Sequence, residues 1–361
     1  MTDRVYPFPA WPRGLAALAV MVALACPSGA AAQELSGLPD YKPERQISGV
    51  IRSWGTPAMG RMMKIWQKGF RGFQPDISFE DKLKGSASAQ FGLHENVADL
   101  ALSGRQIFPY EYYGIYRRSQ LRPIEIEVAT GSVDMKGKST ALAVFVHKDN
   151  PLARLSLKQL DGIYGAQRTG GWQQLEWVAS SARGAEGNIR TWGQLGLTGE
   201  WADKPIHVYG PPGLYPGGVS FFQTRVMGGA DTWSEALREF DDRHLMMATL
   251  GSDRYGIAYS TLAYRTPGTK ALALSEKDGG PYVELGRESV GNRTYPLYRA
   301  AYIYFAPDRP TGDPADPKVD PKMLEFLLYI LSRQGQEDVA REGDYLPLPA
   351  PVIESQRAKL R

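Results

Sequence analysis

The chain has 361 residues, 43% of them hydrophobic and 22% charged, and its 42 Lys and Arg against 39 Asp and Glu leave a net charge of +3. So even a balance excludes the strongly basic surface that nucleic-acid recognition requires, and a single cysteine, Cys26, excludes a disulfide framework. The length exceeds what one compact core usually serves, so two lobes, or one domain with a large insertion, are expected.

The N-terminus comes first. Arg4 and Arg13 precede the apolar run GLAALAVMVALAC, and SGAAAQ follows. A positive start, a short apolar stretch and small residues in that order make a secretory signal peptide, with cleavage expected after Ala32. A bilayer span needs about 20 apolar residues, and this run is shorter, so a retained anchor is disfavoured. Cleavage removes Cys26, and the loss of Arg4, Arg13 and Asp3 takes the net charge from +3 to +2. Lipidation at Cys26 is the weaker alternative, because Ala23 stands where a lipoprotein leader usually has leucine. The exported chain is expected to be soluble.

Beyond a polar lead-in, ISGVIRSW reads as a strand and GTPAMGRMMKIWQKGFRGFQPD as a turn into a helix. Met59, Met62, Met63, Trp66 and Phe70 recur at helical spacing and mark a face buried on a sheet. ISFEDKL is a second strand, GSASAQFGLHENV a small-residue turn into a helix, and ADLALSG a third short strand. This alternation implies parallel βαβ units. STALAVFVHKDNP is the most apolar strand, stopped by its Asn-Pro, and SLKQL opens a helix with Ser156 as N-cap. KPIHVYG is another strand, SFFQTRVMGG a helix closed by glycine, and YGIAYSTLAY and YPLYRAAYIYF are strand-like. PKMLEFLLYILSRQGQEDVAREG is expected to be the longest amphipathic helix, opened by Pro321 and stopped by Gly343.

Four histidines, His94, His147, His207 and His244, stand at no metal-ligand spacing, and with no HExxH sequence a zinc site is not expected. Neither a G-x-S-x-G elbow nor a phosphate-binding GxxxxGK[ST] loop is present, so neither an enzyme nor a cofactor is expected. What recurs is a small-residue turn between a strand and a helix: SWGTPAM around Gly55 and Thr56, LKGSASA around Gly85, Ser86 and Ser88, and YPGGVSFF. Each offers hydroxyls or bare amides at a helix N-terminus, where unpaired N–H groups and the helix dipole favour an anion. One such turn is an ordinary cap; three in one exported α/β chain favour a ligand cleft.

In this order the segments resemble the PstS-like family of periplasmic phosphate-binding proteins, over roughly residues 46 to 350. GTPAM followed by Trp66, KGSASA, ADLALSGR, VFVHKDNPLARLSLKQLDGIYG, GIAYSTLAYRT and FLLYILSRQGQEDVAREGDYLPLP carry the likeness. It implies an α/β fold of the two-lobed type II binding-protein kind, with mainly parallel sheets flanked by helices and a hinge between the lobes. One lobe would combine residues 46–139 with 265–350, and the other would be 140–264. The ligand implied is phosphate or another small oxyanion, the partner an ABC transporter permease, and the state a monomer that binds no nucleic acid. The site residues implied are Thr56, Ser86, Ser88 and Arg105 on one side and Gly217 and Gly218 on the other.

The chain departs from that family at two places. Gly104 stands where members have a serine, and Pro216-Gly217-Gly218 occupies the Ser-Gly-Thr position before the Phe-Phe helix, with the family arginine falling near Pro212. A micromolar receptor needs about 8 kcal/mol, and each hydrogen bond to a charged group is worth roughly 1.5–3 kcal/mol, so the losses bear on most of that affinity. Arg52, Arg105, Arg183, Arg190 and Arg225 are the candidate replacements for the missing cation. The alternative is a receptor-like protein whose altered cleft, with Tyr215 in it, takes a different ligand or a protein partner in a sensing role.

Overall fold

Strands and helices alternate from Gly49 onward as the periodicity predicts. The computed structural model describes residues 35–173, 176–211, 217–307 and 318–360; the leader with Cys26 and Ala32, and Pro212, Tyr215 and Pro216, lie outside the described residues. In chain order β1 (Gly49–Gly55), α1 (Gly60–Arg71), β2 (Ile77–Lys82), α2 (Ser86–His94), β3 (Leu100–Ser103), α3 (Pro109–Ser119) and β4 (Ile124–Thr130) come first. The chain crosses into β5 (Ala143–His147), β6 (Arg154–Ser156), α4 (Leu157–Tyr164), β7 (Gly171–Gln173), β8 (Glu176–Val178) and β9 (His207–Gly210). These are followed by α5 (Gly218–Val226), β10 (Leu237–Glu239), α6 (Arg243–Leu250), β11 (Gly256–Ser260), β12 (Thr269–Ala271), β13 (Ala273–Ser275) and α7 (Arg287–Gly291). It returns as β14 (Ala300–Phe305), α8 (Pro321–Ile330), α9 (Arg333–Glu342) and α10 (Ala350–Ala358).

Two five-stranded sheets result, in the orders β2-β1-β3-β14-β4 and β10-β9-β11-β5-β12. In the first, β1 pairs parallel with β2 and β3, and β14 pairs antiparallel with β3 and β4. The second repeats the scheme, with β9 parallel to β10 and β11 and β5 antiparallel to β11 and β12. One strand in each sheet therefore runs against the other four, and it is the strand on which the chain arrives from the opposite lobe. Entering at that edge puts Tyr302 beside Ser103 at the end of β3 and Ala143 beside Ser260 at the end of β11. The C-terminal ends of β1, β3, β9 and β11 thus meet the crossing segments, where open α/β sheets form their ligand crevices.

Each sheet is covered on both faces. Met59, Met62, Met63, Trp66 and Phe70 are all fully buried in a core with Phe326, Tyr329 and Ile330, and the Trp66 indole donates to the Gly335 carbonyl at 2.9 Å. Ala89, Leu93, Ala101 and Ile115 fill the opposite face. In the second lobe Val144, Val146, Leu160, Phe222 and Tyr259 form one layer and Phe145, Tyr209, Met246 and Met247 the other. Ser156 caps α4 as expected, accepting from Gln159 N at 3.0 Å while the Gln159 side chain accepts from Ser156 N at 2.9 Å.

Two expectations are corrected, and some elements form where none was expected. The return to the first lobe comes near residue 299 instead of 265: β12 pairs with β5, β13 pairs parallel with β6, and Val290, Tyr295 and Leu297 belong to the second core. The long helix from Pro321 is two helices, because Ser332 takes an extended conformation and its side chain caps α9, accepting from Gly335 N. Finally, α3, α6, α10 and β4 form where sequence patterning singled out nothing, through burial that long-range packing supplies. No helix among the described residues is long and apolar enough to cross a membrane.

Candidate functional site

Two of the three small-residue turns close off strands at the crevice edge of the first sheet. Thr56 N donates to the Leu102 carbonyl and Gly85 N to the Gly55 carbonyl, each at 2.9 Å, which binds the turns after β1 and β2 to each other and to β3 as one rim. Gly55 has φ +146°, and a Cβ there would collide with the Leu102 backbone, so only glycine permits this approach. Thr56 is buried, and its hydroxyl accepts from Ala58 N at 3.3 Å. Ser86 opens α2 half-exposed, while the Ser88 hydroxyl donates back to the Gly85 carbonyl at 2.7 Å. None of these three hydroxyl residues lines the crevice described next.

That crevice is a cavity of about 460 Å³ between the two lobes. Gly104, Arg105 and Phe108 line it from the first lobe, Ser220 and Phe221 from the second, and Arg299 from the returning crossing segment. Arg105 is already committed: Nη1 and Nη2 each donate to a Glu111 carboxylate oxygen at 2.7 Å, and the guanidinium lies 4.1 Å from the Phe108 ring centre. Glu111 also accepts from Phe108 N at 2.8 Å, closing the first turn of α3.

Across the cavity stands the N-terminus of α5. Gly217 adopts φ +107° and ψ −82° as its N-cap, a conformation that L-residues rarely take. The first helical turn, from Gly218 through Ser220, leaves N–H groups with no acceptor inside the helix. Gly217 N donates to the Ser220 hydroxyl at 3.3 Å. The second-lobe wall is therefore made of backbone, as its glycines suggest.

The arginines proposed as replacement cations are spoken for. Arg52 pairs with Asp99 at 2.6 Å, Arg183 with Asp161 at 3.2 Å, and Arg225 with Glu276, while Arg190 donates to the Gly162 carbonyl at 2.8 Å and the Ile189 carbonyl at 3.0 Å. The residue missed is Arg299. It is 8% exposed, its Nη2 donates to the Gly104 carbonyl at 2.6 Å, and its guanidinium lies 5.7 Å from the Phe221 ring centre. Its Nε has no partner, and desolvation by burial pulls the group down to about 10. The cue lay in YPLYRAAYIYF, where one charge stands directly before six buried strand residues.

Among the described residues no group of three or more His, Cys, Asp and Glu side chains is arranged to hold a metal. Comparison with known proteins supplies the family context. A family profile described as a PBP superfamily domain matches residues 41–334. The chain is 31% identical over 344 residues to the phosphate-binding protein PstS of Pseudomonas aeruginosa PAO1, covering 95% of this chain and 96% of that protein. Two solved structures share the fold at low identity. PstS from Borrelia burgdorferi has a TM-score of 0.53 and 13% identity, over 83% of this chain and 99% of that one. An ABC-type phosphate transport receptor from Vibrio cholerae has a TM-score of 0.51 and 17% identity, over 82% and 99%.

Proposed function

This chain belongs to the PBP superfamily, among PstS-type phosphate-binding proteins, and from that premise we propose that it captures phosphate in the crevice between its lobes and serves phosphate uptake. It is a binding protein and not an enzyme. The observation that carries this reading is the facing of two walls across one cavity: the Gly104–Arg105 corner after β3 and the first turn of α5 at Ser220 and Phe221, which Gly217 and Gly218 open just outside the lining. Amides at a helix N-terminus present the positive end of the dipole and hydrogens to an oxyanion without using side chains.

On this reading Arg105 and Glu111 form a rigid base to the first wall, and the turns at Thr56, Ser86 and Ser88 complete that rim when the lobes close. Gly217 and Gly218 supply amides from the other side. The leader through Ala32 exports the chain to the periplasm, where an ABC permease receives the phosphate. Identity spread over almost the whole chain favours this reading over an altered cleft that serves a protein partner.

Calorimetric titration of the purified, processed protein with inorganic phosphate tests it. Saturable binding in the micromolar range, about 8 kcal/mol, is the expected result. An absence of binding at millimolar phosphate overturns it.

A further inference from the structure

We propose that Arg299 is the cation that takes up the ligand's negative charge, in place of the arginine that the loop before α5 lacks. This rests on the oxyanion reading of the cleft given above. Every other candidate arginine is matched by a carboxylate or by backbone carbonyls. Arg299 has one carbonyl, Gly104 O, and a buried Nε without a partner, and no carboxylate of the described residues forms an ion pair with it. Its electrostatic neighbours are the phenols of Tyr302 and Tyr345 and the like charge of Arg243. A buried guanidinium without a counter-ion is a standing penalty on the folded protein, and an anion in the adjoining cavity relieves it.

The position also suits one shared ligand. A Cβ on Gly217 would sit 3.5 Å from Arg299 Nη2, so the missing side chain leaves the guanidinium open toward the first amides of α5. Arg299 is reached from the first lobe through Gly104 and from the second through Phe221. A guanidinium offers a planar fork of donors to oxyanions, and here its Nε edge is the unused one. Aromatic rings around it exclude water and strengthen the attraction.

The test compares Arg299→Met and Arg299→Lys with the native protein by calorimetry with inorganic phosphate and by thermal melting in phosphate-free buffer. The native protein binds; Arg299→Met loses about 100-fold or more in affinity, while its melting temperature without ligand equals or exceeds the native value, since a buried unpaired charge has been replaced by an apolar chain of similar size. Arg299→Lys keeps part of the affinity. Affinity of Arg299→Met within threefold of native overturns the proposal. So does a Met variant that loses stability and binding together while the Lys variant is no better, because that marks a structural role. If the native protein itself ignores phosphate, the receptor reading falls first and this assignment with it, a result told apart from variant failure by the native titration alone.

Discussion

Ser139 holds its hydroxyl in the space that a side chain on Gly104 would fill. Ser139 is buried, and a Cβ on Gly131 would likewise collide with the Ser139 carbonyl. The serine absent from the β3 corner thus has its space taken by a hydroxyl from the outgoing crossing segment. Gly104→Ser alone should cost about 1–3 kcal/mol through overpacking. Combined with Ser139→Gly it should cost much less, with a coupling of about 1 kcal/mol or more in a double-mutant cycle read by urea denaturation. Additive effects would show that the two positions do not compete for space.

Arg105 and Glu111 are both nearly buried, with side-chain exposures of 3% and 8%. Removing one member strands the other's charge, so Arg105→Ala should destabilise the protein by roughly 3–5 kcal/mol. Glu111→Gln should act in the same direction through the lost charge, while its amide oxygen still accepts from Phe108 N at the start of α3. Denaturant melts of both variants check this, and a loss below about 1 kcal/mol for Arg105→Ala would contradict the buried-pair argument.

Gly217 and Gly218 should respond differently to alanine. At Gly217 the φ of +107° strains any L-residue, at a cost on the order of 1–3 kcal/mol, and relief of that strain redirects the amides of α5. Gly217→Ala should therefore weaken phosphate binding at least tenfold. Gly218 lies in ordinary helical backbone with only Leu142 Cδ2 near, at 3.8 Å from a built Cβ, so Gly218→Ala should be neutral or slightly stabilising, by about 0.4–1 kcal/mol. Parallel titrations and melts of the two variants separate conformation from mere bulk.

Acid should loosen the second sheet through Asp253. Burial pushes this carboxyl up, but donors from Tyr209, His207 and Tyr255 N outweigh it and hold the group below the usual carboxylate range. Tyr209 and His207 both reach Oδ2 at 2.7 Å. Because the folded group is depressed, its contribution is fully present above the unfolded carboxyl range and disappears as pH falls through the folded one. Stability measured from pH 7 down toward pH 3 should fall less steeply in Asp253→Asn than in the native protein. Equal slopes would remove Asp253 from the account.

Much of the fold was legible because its signals are local. The Met59–Phe70 stripe, the Asn-Pro stop and the Ser156 cap each depend on residues within a turn or two, and all recur in the structure. What lies beyond local reach was misread. The break at Ser332 is set by a side chain folding back onto its own helix start, and the late return near Arg299 is set by β12 pairing with β5 across more than a hundred residues. The cleft divides the same way. Glycine-rich turns announced its walls, but the cation that faces them comes from a strand flank 195 residues from the Gly104 carbonyl it touches, a distance over which no spacing rule operates.

The two crossing segments are joined to each other, Gly131 N donating to the Arg299 carbonyl at 2.7 Å and Leu142 N to the Leu297 carbonyl at 3.1 Å. Arg299 is therefore rooted on the axle of the molecule. Were one sheet to turn against the other about these segments, parts would sweep through arcs in proportion to their distance from the axle. The guanidinium, hung beside it, would scarcely travel, whereas the amides of α5 and the hydroxyls near Thr56 would swing in from either side. The charge would stay where it is, and the walls would come to it.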